Sequence, residues 1–274
     1  MMISNLTKKR VHDYLLEGKR ENRGLLDYRE IEIETGISKN AEGSARVKVG
    51  NTQVVAGIKL DVTEPYTDHE DEGTLITTLE LLPLSSPRFE AGPPKIEAIE
   101  MARIVDREIR ESQFIDFKKL CIKKGEKVWG IFLDIFSIND DGNLLDAAGI
   151  AAVAELRDAK MPKYDEKEEK VKYGELTNKN MPLNKETPTI LTFHKIGDKI
   201  FIDPGQEEEE ASEGRISFGF LNGNINACQK GNDAALELKE LGEILEIAEK
   251  KAEEMSGKIE KAIEKALKAK EDKK

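Results

Sequence analysis

The chain has 274 residues, 38% hydrophobic and 35% charged, enough to bury a sizeable core as one large domain or two small ones. No apolar run approaches the ~20 residues of a membrane span, and the amphipathic start MMISNLTKKRVHDYLLEGKR lacks a signal peptide's apolar stretch, so a cytoplasmic protein with no membrane partner is expected. A formal net charge of −11 excludes a surface that binds nucleic acid broadly, and confines any phosphate contact to a patch or a groove shared with a partner.

Residues 6–20 are predicted to form a short amphipathic helix carrying Leu6, Val11, Tyr14 and Leu15 among basic neighbours. EIEIETGI at 30–37 alternates as a strand does, and ARVKVGNTQVVAGIKL at 45–60 is two strands joined at Gly50-Asn51. TLITTLELLP at 74–83 is another strand. A helix follows over 94–112, with Ala98, Met101, Ala102, Val105 and Ile109 on one face and Arg103, Arg107 and Arg110 on the opposite one. KLCI and KVWGIFLDIFSI are strands, the second apolar enough to be central. LLDAAGIAAVAELRDA at 144–159 is an alanine-rich helix suited to close packing on a sheet. Cys121 and Cys228 lie far apart in apolar contexts and suit reduced, buried thiols.

Residues 163–188 are polar and charged and read as a long loop or insertion. Strands return in TILTFHKI, KIFIDP, GRISFGFLNG and NINACQKG, with turns at Gly197-Asp198 and Asn222-Gly223. From about residue 233 a long helix places Ala234, Leu238, Leu241, Leu245, Ala248, Ala252 and Met255 alternately four and three apart, as a coiled-coil seam or as one face packed on its own sheet. The lysine-rich end after Gly257 is expected to fray. The fold class is α+β, built from two related β-and-α units. The expected divisions are an N-terminal helix extension (1–23), the main domain (24–256) and a charged tail (257–274).

The run SINDDGNLLDAAG at 137–149 begins like a calcium loop. With Gly142 at the loop's sixth position, Ser137 falls at the first and Ala148 at the twelfth, where a bidentate glutamate is required, so calcium is excluded. His12, His69 and His194 share no ligand spacing with the cysteines, and there is no zinc signature, Ser-His-Asp elbow or Walker loop. The arginine stripe is either surface decoration paired with Glu100 and Asp106, or a track for phosphates, which guanidinium forks bind bidentately. IDPGQEEEEASEGR at 202–215 is either a solvated turn or a device that sets Asp203 and Glu209 near a reaction.

KNAEGSARVKVGNTQVVAGI, IEMARIVDREIR, LDIFSINDDGNLLDAAGIAAVAEL and IDPGQEEEE resemble the RNase PH family over about residues 24–250. The resemblance implies the RNase PH-like fold, mixed sheets packed on helices, in phosphorolytic 3′-to-5′ exoribonucleases that form six-membered rings. In detail it is similar to the family's non-catalytic branch in the archaeal exosome. Active members carry a D-G-G-[ST]-R turn whose hydroxyl and arginine hold phosphate; Asn143 and Leu144 occupy those places here. Glu97 stands where active members have an arginine, while Asp203 and Glu209 retain carboxylates. The resemblance thus implies no catalytic residue, no metal and no cofactor in this chain, with inorganic phosphate as co-substrate in a partner. Arg103 and Arg107, and more weakly Arg110, would face single-stranded RNA. The implied partners are a catalytic RNase PH-like subunit, three heterodimers to a ring, and an RNA-binding cap subunit. A self-sufficient phosphorolytic exonuclease and a metal-dependent carboxylate hydrolase are the rival expectations.

Overall fold

The computed structural model describes residues 4–272; residues 1–3 of the expected extension and 273–274 of the expected tail lie outside the described residues. Two sheets enclose a helical layer. The first joins β1 (Ile31–Thr35), β2 (Gly43–Val49), β3 (Thr52–Thr63), β6 (Lys127–Asn139) and β4 (Thr74–Glu80) in that order, with the short β5 (Cys121–Lys123) also on β6. All pairs are antiparallel except β4 with β6. The second runs β10 (Lys199–Ile202), β9 (Thr189–Ile196), β11 (Gly214–Leu221), β12 (Asn224–Gly231), antiparallel throughout.

Between them lie α2 (Ile96–Glu111) and α3 (Leu144–Asp158). Every residue of α3 except Arg157 is buried. Burial on all sides favours small and apolar residues, which accounts for its alanine run, although Asp146, Glu155 and Asp158 are buried with it. A Cβ on Gly149 would lie 2.8 Å from Ile190 of β9, so this glycine sets how closely helix and second sheet approach. The first sheet's core is Val47, Val54, Ala56, Ile58, Ile131 and Leu133 against α2 and α3. On the far face of the second sheet, Leu191, Phe193, Ile216, Phe218 and Phe220 pack on Ile244, Ala248, Ala252 and Met255 of α5 (Leu238–Glu271).

Three expectations are corrected. The charged 163–188 stretch is largely a hairpin, β7 (Lys160–Asp165) and β8 (Lys170–Asn180), whose exposed faces account for its polarity. The C-terminal segment does not fray at Gly257: α5 is continuous to Glu271, and Ile259, Ile263 and Ala266 are buried. The expected N-terminal helix is α1 (Asn5–Leu16), whose Leu15 packs with Ile196, Phe201 and Ala211. Finally, Cys228 is exposed and Cys121 half-buried, both as free thiols. The seam spacing of α5 serves its own sheet, with Leu238 at its start 88% exposed.

Candidate functional site

β6 ends at Asn139 and the chain turns through Asp140, Asp141, Gly142 and Asn143 into α3. Gly142 has φ +80°, and a Cβ there would lie 2.5 Å from the Pro204 carbonyl oxygen, so only glycine fits this turn. Asn143, at the head of α3, is also left-handed at φ 59°, a conformation that asparagine tolerates better than most residues. Its Nδ2 donates to Asp203 Oδ1 at 2.9 Å, Asp146 Oδ2 at 3.1 Å and Tyr28 Oη at 3.1 Å. Leu144 is 5% exposed and belongs to the core of the first sheet, so its side chain is withdrawn from solvent.

Asp203, fully buried, lies just before the short helix α4 (Gln206–Ala211). It accepts from the Arg29 backbone N–H at 2.7 Å, Arg29 Nη2 at 2.7 Å, Arg29 Nε at 2.9 Å and Arg23 Nη1 at 2.8 Å. Burial pushes its carboxyl up, but the Arg29 guanidinium and the Asn143 amide more than reverse this and hold it below the ordinary range. A carboxylate engaged on both oxygens is a structural anion, poorly placed to pass protons. Glu209, on α4, accepts from the Asn143 backbone N–H at 3.1 Å. Burial raises its carboxyl, opposed by Arg88. The head of α3, where helix dipole and free N–H groups favour an anion, therefore already has one N–H taken by a carboxyl group of this chain. Arg88 is spent on Asp140 at 2.8 Å.

Glu97 is exposed in the first turn of α2. It lines a pocket of about 310 Å³ with Arg88, Phe89, Pro83 and Lys95, beside the turn rather than in contact with Asn143. The three arginines of α2 have separate fates. Arg103 is exposed and makes no hydrogen bond or ion pair among the described residues. Arg107 Nη2 donates to Gln229 Oε1 at 3.0 Å. Arg110 pairs with Asp106 at 3.1 Å, donates to the Leu75 carbonyl at 3.0 Å and stacks over Phe117. The expected pairing of Glu100 within the stripe is not found; Glu100 binds Arg215 of β11 at 2.7 Å. Spacing could not reveal Arg20, Arg23, Arg29 or Arg88, which converge on the turn and on α4 from segments with no periodic pattern.

The sequence model of the 3′ exoribonuclease (RNase PH) family, domain 1, matches residues 27–162, and that of domain 2 matches residues 186–251. The chain belongs to this family. Among RNase PH relatives, the exosome complex component Rrp42 of Methanosarcina acetivorans is 44% identical over 259 residues, 93% of this chain and 94% of the relative. That of Thermococcus kodakarensis is 42% identical over 268 residues, 97% of this chain and 98% of the relative. An Archaeoglobus fulgidus exosome structure with RNA bound to the active site contains a chain that superposes with a TM-score of 0.83 at 37% identity, covering 93% of this chain and 99% of that one. A chain of an archaeal exosome core gives 0.82 at 35% identity, covering 93% and 97%. The two RNase PH domains correspond to the two sheets and fall within the 24–256 span expected as one unit.

Proposed function

We propose that this chain is the non-catalytic RNase PH-like ring subunit of an exosome that degrades RNA from its 3′ end with inorganic phosphate. The carrying observation is the filled turn. Leu144 is buried where the family resemblance calls for a phosphate-binding arginine, and Glu209 sits on the Asn143 N–H at the head of α3. Without a bound nucleophile, the retained carboxylates have no attacking group to assist. Phosphate and the chemistry then belong to a catalytic RNase PH-like partner, which would alternate with this chain as three heterodimers, capped by an RNA-binding subunit.

The open side of the molecule supports a composite arrangement. β12 ends the second sheet and β4 flanks the first, and α2 runs beside both, with Arg107 reaching Gln229 of β12 and Arg110 reaching Leu75 of β4. An unpaired strand edge invites pairing with another chain. Arg103 and Arg107 would then guide single-stranded RNA at the subunit boundary, with Arg110 mostly occupied by Asp106.

The test incubates poly(A) and phosphate with the purified chain alone, with the catalytic subunit alone, and with the ring formed by both. The expected result is nucleoside diphosphate release from the mixed ring and none from this chain. Release by this chain alone would overturn the proposal, and metal-dependent monophosphate release would point to a hydrolase. Arg103→Glu with Arg107→Glu should leave the ring assembled while weakening RNA binding and slowing degradation.

A further inference from the structure

α2 lies along one face of the second sheet, and its successive turns meet successive cross-strand pairs. Glu100 meets Arg215, which faces Gly231 across the strands; Arg107 meets Gln229, which faces Ser217; Glu108 stands over Gly219, which faces Ala227. Side chains alternate between sheet faces, so these pairs share the α2 side, while Ile216 and Phe218 point to the α5 core. A Cβ on Gly231 would lie 2.6 Å from Arg215 Nη2, so the glycine leaves a bed for the guanidinium beside the free edge. Arg215 is 15% exposed and Glu100 29% exposed, which places their pair at the rim.

Polar atoms are left unpaired along this groove on both sides, the Glu108 carboxyl oxygens among the acceptors. Arg107 Nε and Arg215 Nε are buried with no acceptor among the described residues. The guanidiniums of Arg107 and Arg215 lie on this side, Arg107 on Gln229 and Arg215 on Glu100, while Arg103 is exposed on the same helix. Glu108 is buried without an ion-pair partner among the described residues and adds no opposing surface charge. A cationic groove with spare donors, on a chain of net charge −11, is matched to a phosphodiester backbone.

We infer that Arg215 and Gln229 extend the RNA track: Gln229 is a positioning residue that aims Arg107, and Arg215 is a third phosphate contact, masked by Glu100 until a phosphate oxygen displaces that carboxylate. This rests on the proposed role of Arg103 and Arg107. The experiment measures anisotropy of fluorescein-labelled oligo(A) on the mixed ring across a salt series, with ring mass and melting temperature as controls. Glu100→Gln should tighten binding several-fold, and should do nothing in an Arg215→Gln background, since the two residues act as a unit. Arg215→Gln should weaken binding several-fold and reduce the slope of log K against log[salt] by about one. Gln229→Ala should weaken binding, and Gln229→Asn should recover part of the loss. Should Arg215→Gln prevent assembly, Glu100→Gln alone decides: unchanged or weaker binding overturns the inference. Equal tightening by Glu100→Gln in both backgrounds also overturns it. If Arg103→Glu with Arg107→Glu leaves binding intact, the track itself is wrong; if that variant weakens binding and Arg215→Gln does not, only this extension fails.

Discussion

Arg29 shows how much of the turn depends on one side chain. Its backbone and guanidinium hold Asp203, while Nη1 and Nη2 donate to the carbonyls of Asp141 at 2.9 Å and Gly142 at 3.1 Å. The N-terminal segment, the β6–α3 turn and the approach to α4 are thereby fixed to one cation. Replacing it strands a buried carboxylate with Arg23 as its remaining cation, and losing one partner of a buried pair costs about 3–5 kcal/mol. Arg29→Met should lower the unfolding free energy by that amount, read as a lower urea midpoint with the slope unchanged, and adding Asp203→Asn should return part of it. A loss below about 1 kcal/mol would show that Arg23 alone suffices. None of this was legible in the sequence. Asp203 could be read there as an acid near a reaction, but whether a carboxylate is an acid or an anchor depends on partners, and Arg29 lies 174 positions away.

Among elements, the periodic ones were read best. The strands over 45–60, the α2 face built on Ala98, Ala102, Val105 and Ile109, and the alanine helix after residue 144 follow directly from apolar spacing. The β7–β8 hairpin was hidden because it buries little, so its strands carry weak alternation. The end of α5 was obscured by lysines, although Met255, Ile259, Ile263 and Ala266 continue the helical spacing beyond Gly257. Ile259 and Ile263 join the first sheet's core, whereas the first half of α5 serves the second sheet. This helix is thus a brace between the two. Burial of an isoleucine contributes about 1.5–3 kcal/mol. Deleting residues 258–274 should therefore cost on the order of 3–6 kcal/mol and lower the melting temperature; an unchanged melting temperature would reinstate the frayed tail.

For the whole molecule, buried titratable groups bracket stability on both sides. Burial, with Arg215 and Arg20 nearby, holds the His194 imidazole down to about 3 from an ordinary 6.5. The unfolded chain then gains a proton that the folded chain refuses as pH falls from 6.5 towards 3, and stability is lost across that window. Asp203 and Glu208, held below their ordinary values, act in the same direction at lower pH. Glu108 and Glu155 are opposite: burial pushes their carboxyls well above the ordinary 4.5. Their contribution is intact below 4.5 and is lost as pH rises, at up to about 1.4 kcal/mol per pH unit for each group. Glu155→Gln should match the parent near pH 4.5 and gain on it steadily up to pH 8 in thermal melts. Parallel curves would mean that Glu155 is ionised in the folded state.

The Glu209 contact at the head of α3 has an evolutionary consequence. A chain that lost only its phosphate-binding arginine could regain activity by reverting one codon. Here Glu209 already takes the Asn143 N–H and Leu144 is part of the core, so an arginine placed at 144 would both disrupt packing and meet an occupied seat. With the turn filled from within, a single substitution at 144 would not open it.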